Sequence, residues 1–205
     1  MRFLLAITLL TSAWTASAQG TFQAINDYTT DGTTSFFNGT EGWTFETSTY
    51  LTVTSLGCFT NAIASQGPIE VGLWNSSGSL LASNLITSVS ALVGLTRYES
   101  ISPVFLDPGQ VYYMGAFSPS GTTTLDVYLN GSPGGVAFSP DIQLGGLWSA
   151  GPGFTFPPGG GPVSPGSIYL GANFQFQERV PEPGSFGLLA LGCGLLVAWR
   201  RRPAV

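Results

Sequence analysis

The side chains of this sequence that could act on a substrate are nearly all carboxylates. Among 205 residues there is no histidine, and every one of the six basic residues is an arginine. That composition removes the usual general base, the Ser-His-Asp and Cys-His arrangements and every histidine-based zinc site. Lysine chemistry, meaning Schiff bases and Ser-Lys dyads, goes with it. Glycoside hydrolysis needs only two carboxyl groups flanking a sugar bond, and Glu41, Glu46, Glu70 and Glu99 could supply a pair on neighbouring strands. Glutamates on the solvent face of strands are equally ordinary. Asp27 and Asp31, with the threonines between them, offer hard oxygen ligands of the kind Ca2+ takes, and Asp126 and Asp141 are further candidates. Their spacing is not that of an EF-hand, and two solvated aspartates, one in an Asp31-Gly32 turn, explain the pattern as well. No other cofactor is expected. Three tryptophans could stack on sugar rings. Trp43 and Trp74 sit in apolar strand contexts and read as core, whereas Trp148, in Gly145-Gly146-Leu147-Trp148-Ser149, is expected to present an exposed ring and is the candidate glycan contact.

A second kind of chemistry is carried out on the chain itself. Met1-Arg2, an apolar stretch from Phe3 to Leu10 and the ending Ala16-Ser17-Ala18 describe a secretory signal helix, with signal peptidase cutting between Ala18 and Gln19 after export by the Sec machinery. At the other end, Val180-Pro181-Glu182-Pro183 precedes an apolar run from Gly184 to Trp199 and then Arg200-Arg201-Arg202. Each proline fixes its own φ and pushes the preceding residue out of the helical region, so the glutamate is held extended and open to an enzyme. The 16 residues of the run would span roughly 24 Å as a single transmembrane helix, short of the ~30 Å hydrocarbon core. The three arginines form a basic retention tail on the cytoplasmic side.

This order of elements resembles the PEP-CTERM sorting signal of Gram-negative bacteria. Val180, Pro181, Glu182 and Pro183 match its core, and Arg200, Arg201 and Arg202 match its basic end. The resemblance implies that a membrane-embedded protease of the exosortase type is the processing partner and that this chain is its substrate. It also implies transient anchoring in the inner membrane, followed by release to the cell envelope, outer surface or extracellular matrix.

Between the two address segments the chain is strongly acidic. Only Arg97 lies between residues 19 and 178, against ten carboxylates, a formal charge of about −9. Nucleic acid is thereby excluded as a partner, since counterion release needs cations that are absent. About 160 residues suit one domain. Cys58 reads as a small buried apolar residue, and no disulfide with Cys193 is expected across the processing site.

These residues must be positioned by strands, because helical periodicity is lacking outside the two ends. Ile168 to Gln177 alternates strictly, with Ile168, Leu170, Ala172, Phe174 and Phe176 on one face, and should close the domain. Thr123 to Leu129 alternates similarly. Ile69 to Trp74 and Ser79 to Ile86 flank the turn sequence Asn75-Ser76-Ser77-Gly78 and predict a hairpin. Asp107-Pro108-Gly109-Gln110 predicts a type II turn leading into a strand over Val111 to Phe117. Gly151 to Gly166, with six glycines and five prolines, predicts an irregular surface loop. Gln177 to Val180 reads as a short spacer. The Asn-x-Ser/Thr sites at Asn38, Asn75 and Asn130 are explained by turn chemistry.

Strands at intervals of about a dozen residues predict an all-β fold, a jelly-roll-like antiparallel β-sandwich. Gly42-Trp43-Thr44-Phe45, Leu51 to Gly57, Val71-Gly72-Leu73-Trp74, Asp107 to Tyr112 and Gly171-Ala172-Asn173-Phe174 together resemble an uncharacterised β-sandwich domain found upstream of PEP-CTERM tails. The expected organisation is a signal peptide over 1–18, a sandwich over 19–178 and a sorting signal over 179–205, with its membrane segment at 184–199 and basic tail at 200–202. The expected role is that of a non-enzymatic exported surface or matrix protein, with exopolysaccharide as a prospective partner. A glycan-binding module and a carboxylate-dependent glycoside hydrolase are the alternatives.

Overall fold

The computed structural model describes residues 20–28, 39–60, 67–117, 136–156 and 170–179. The signal segment with Gln19, the Pro-Glu-Pro motif, the apolar run, the arginine tail, the strand expected over 123–129, and Asp31, Asn38, Asp126, Asn130 and Cys193 all lie outside these residues.

Twelve strands are described: β1 (Phe22–Gln23), β2 (Ile25–Tyr28), β3 (Glu41–Thr47), β4 (Leu51–Phe59), β5 (Ile69–Asn75), β6 (Leu80–Ile86), β7 (Ala91–Val93), β8 (Thr96–Leu106), β9 (Val111–Phe117), β10 (Val136–Phe138), β11 (Ile142–Ser149) and β12 (Ala172–Glu178). Their pairings are antiparallel and build one five-stranded sheet in the order β1-β12-β4-β8-β7, a second in the order β11-β3-β9-β5-β6, and a small pair β10-β2. The fold is thus all-β, with the apolar faces of the two large sheets packed on each other as a sandwich.

Local chemistry sets several of the connections. The Asn75 carboxamide oxygen accepts from the Ser77 and Ser79 amides at 3.1 and 2.9 Å and from the Ser77 hydroxyl at 2.7 Å, which fixes the turn of the expected β5–β6 hairpin. Gly109 has φ of 69°, the left-handed value that the third residue of a type II turn requires, and β9 begins at Val111.

The alternating residues meet in the middle. Trp43 and Phe45 from β3 lie against Phe174 from β12, at centroid distances of 6.1 and 5.0 Å, and all three are fully buried. The Trp43 indole N–H donates to the Ala172 carbonyl at 2.8 Å, a hydrogen bond that crosses from one sheet to the other. Cys58 is buried as expected, and burial pushes its thiol up to about 12.

β12 differs from expectation at both ends. It starts at Ala172 and continues to Glu178, and the Arg179 amide still donates to the Tyr50 carbonyl at 2.8 Å. Pairing with β4 therefore takes up Gln177 and Glu178, and the hydrogen bond to Tyr50 takes up Arg179, of the residues read as a spacer, while Val180 lies outside the described residues. Asn173, on the face opposite Phe174 and Ala172, is fully buried: its carboxamide accepts from the Ile25 amide at 3.0 Å and donates to the Ile25 carbonyl at 2.9 Å. The side chain thus acts as one extra rung of sheet, holding the N-terminal segment where it passes from β1 to β2.

Candidate functional site

The carboxylates do not converge. Glu41, Glu46 and Glu70 lie on the second sheet and Glu99 on β8 of the first. On β3, Glu41 shares the inward face of Trp43 and Phe45 and is buried, whereas Glu46 points to the opposite side. Glu46 pairs with Val111 and Glu70 with Phe117, six positions apart on the intervening β9, or about 20 Å along the strand. A glycosidase pair needs roughly 5 to 9.5 Å. Partial burial raises the Glu70 pKa above the usual carboxylate value. Among the described glutamates Glu41 is its nearest neighbour in register, pairing with Ala116 beside Phe117, but strand alternation puts the two carboxylates on opposite faces of the sheet.

Among the described residues, no cluster of three or more His, Cys, Asp or Glu side chains could hold a metal ion. Asp27, in β2, lies by a small hollow lined also by Gln23, Asn26, Gly94 and Leu95, and its calcium partner from the sequence, Asp31, falls outside the described residues. Asp141 is occupied structurally: one of its carboxylate oxygens accepts from the hydroxyls of Ser48 and Thr49 at 3.2 and 3.3 Å. Arg97 donates to the Ser90 carbonyl at 2.7 Å and so ties the turn before β7 to β8.

Among the described residues, the largest cluster outside the sandwich interior is aromatic. Across the outer face of the second sheet, Trp148, Gly42, Gly115 and Gly72 stand in one register row over β11, β3, β9 and β5. Gly72 and Gly115 leave a trough in which two indoles lie. A Cβ on Gly115 would come within 2.6 Å of the Trp148 ring, and one on Gly72 within 2.4 Å of Trp74 and 2.6 Å of Phe154. Trp74 and Trp148 meet edge to face at 6.4 Å, Phe154 covers Trp74 at 5.1 Å, and Tyr113 contacts Trp148 at 6.1 Å and Phe156 at 4.9 Å.

The chain after β11 forms the cover. The Ala150 amide donates to the Thr40 carbonyl at 2.7 Å, the Thr40 hydroxyl donates to the Gly153 carbonyl at 2.8 Å, and the Thr155 amide donates to the Thr40 hydroxyl oxygen at 2.9 Å. Thr40, itself fully buried, thereby staples residues 150–156 over the aromatic rings.

This arrangement corrects the expected exposure of Trp148, while residues 151–156 are irregular and at the surface as expected. The Trp148 ring is 3 % exposed, not presented to solvent, because the segment read as a surface loop folds back on it with Phe154 and Phe156. Residues 151–156 are a strap on the sheet, and residues 157–166 lie outside the described residues. Trp74 is buried as expected but on the face opposite Trp43's side of the sandwich. The signal that could have revealed this is the glycine row itself: Gly42, Gly72 and Gly115 fall at outward positions of three strands, where a flat floor invites rings and a cover.

Two family models match the chain. A domain of unknown function, DUF4082, matches residues 37–160, and the PEP-CTERM protein-sorting motif matches residues 179–202. No curated protein matches it. The sorting motif marks an exported protein that is processed by an exosortase-type protease in the membrane and destined for the envelope or surface. Strands β1, β2 and β12 fall outside the DUF4082 match, although β12 pairs with β4 inside it. With more than half of its length covered by that match, the chain belongs to the DUF4082 family and carries a PEP-CTERM sorting motif at its C-terminus.

Proposed function

We propose that the mature protein is a non-enzymatic structural component of the cell surface or extracellular matrix, delivered there by removal of its C-terminal signal. The observation that carries this reading is the position of the sorting motif, which begins at Arg179 where the last strand ends. Signal peptidase removes residues 1–18 at Ala16-Ser17-Ala18 before Gln19, and the sandwich occupies 19–178. The segment 184–199 holds the precursor in the inner membrane, with Arg200 to Arg202 on the cytoplasmic side. The exosortase-type protease then acts at Val180-Pro181-Glu182-Pro183. A charge of about −9 keeps the released domain soluble and repels polyanions.

The non-enzymatic reading is supported by the dispersal of the glutamates and by a composition without histidine or lysine. A glycan-stacking role for Trp148 would require the strap to lift and is not the favoured reading.

Mass spectrometry of the secreted form tests the route. It is expected to find Gln19 at the N-terminus and no peptide beyond the Pro-Glu-Pro region. A mature protein that keeps Arg200 to Arg202, or processing that is unchanged when the exosortase-type enzyme is deleted, would refute it.

A further inference from the structure

Where β4, β8 and β12 end together, Leu51 pairs with Leu106 and Glu178, and Thr52 with Phe105 and Gln177. Two rings stand exposed at this rim, Phe105 at 61 % and Tyr50 at 49 %. The Arg179 guanidinium lies over both, 4.6 Å from the Phe105 centroid and 5.9 Å from that of Tyr50. Aromatic rings beside an arginine suit a membrane interface, where the rings sit at headgroup level and the guanidinium bonds phosphate.

The length of chain beyond the rim says what covers it. Only Val180, Pro181, Glu182 and Pro183 separate Arg179 from the apolar run that starts at Gly184. Five Cα steps reach at most about 18 Å fully extended, and about 16 Å in the polyproline-like form that the two prolines favour. The headgroup layer on one side of a bilayer takes up roughly 5 to 8 Å of that reach. The remaining ~10 Å is no wider than one α-helix. With its amide paired to Tyr50, Arg179 adds no slack of its own.

We propose that, in the unprocessed precursor, the Tyr50–Phe105–Arg179 rim packs on the phospholipid headgroups of the membrane that holds the protein's own C-terminal segment. The sandwich then stands end-on, with the β7–β8 hairpin at the far end from the bilayer. Glu178 and Asp107 at the same end disfavour an anionic surface, so zwitterionic headgroups are the fitting partner. This proposal rests on the reading of 184–199 as a membrane segment.

The test uses the full chain with Cys193→Ser, since Cys58 is buried and unreactive, in nanodiscs of neutral zwitterionic phospholipid doped with a paramagnetic headgroup lipid. A nitroxide is placed at Gln110→Cys, next to the rim, or at Leu92→Cys. Leu92 pairs with Arg97, nine positions along β8 from Leu106, or about 30 Å. Relaxation enhancement at position 110 is expected to exceed that at 92 at least fivefold. Equal enhancement at the two sites in a chain whose tail is inserted overturns the rim proposal alone. A chain that fails to co-float with vesicles of the same lipid overturns the tail reading, and the rim proposal with it. Contrast that emerges only when an exosortase-type protease shares the disc assigns the rim to that enzyme and overturns contact with lipid.

Discussion

Two clusters of buried aromatic rings in the protein are built differently. Inside the sandwich, Trp43, Phe45 and Phe174 come from facing sheets, are fully buried, and are tied across the interior by the bond from Trp43 to the Ala172 carbonyl. On the outer face, Trp74, Trp148 and Tyr113 come from a single sheet, and their cover is the 151–156 strap, whose rings, Phe154 and Phe156, remain partly exposed. The interior cluster holds two layers together, whereas the outer one holds a segment onto a layer that is already formed. Truncation should therefore cost more inside, where neighbours cannot close the gap, than outside, where the strap can settle.

The largest effect is expected for Trp43→Ala. Loss of the ring and of its hydrogen bond should cost about 4 to 5 kcal/mol, at the upper end for aromatic truncations, and should leave little folded protein. Trp148→Ala should cost about 2 to 3 kcal/mol in denaturant unfolding, because its cavity lies under a cover that can move. Equal losses at the two sites would erase the distinction. Gly115→Ala sharpens it from the other side: a methyl group 2.6 Å from the Trp148 ring should cost about 1 to 3 kcal/mol by lifting the rings from their floor. Thr40→Val should cost about 1 to 2 kcal/mol by orphaning the Gly153 carbonyl and the Thr155 amide, and should speed amide exchange in residues 151–156 while β3 and β12 stay protected. The smallest effect is chemical and confined to the interior. With its pKa near 12, Cys58 should be about one ten-thousandth thiolate at pH 8, so alkylation monitored by peptide mapping should be negligible until denaturant exposes it.

The sequence made the local punctuation readable. Asn75 to Gly78 and Asp107 to Gln110 carry their own turn chemistry, and β5, β6 and β9 follow within a residue of the expected limits. The interior residues of β12 were readable too, because Ala172, Phe174 and Phe176 repeat with the period of a strand and, like Leu170 just before it, are buried. What alternation cannot say is whether the other face is covered. Asn173 and Trp148 both occupy outward positions and both are buried, each by a segment distant in sequence: Ile25 for the first, the 151–156 strap for the second. The dispersal of the glutamates was hidden for the same reason, since it depends on which strand lies between β3 and β5.

The place of β12 has a consequence for the order of events during secretion. The last strand of the fold is not an edge strand: it lies between β1 and β4, and its Asn173 grips Ile25, 148 residues upstream. A chain that leaves the export channel from its N-terminus cannot fill that slot until residue 178 has emerged, a few residues before the apolar run arrives. A chain cut short before β12 therefore leaves the first sheet without the strand that joins β1 to β4.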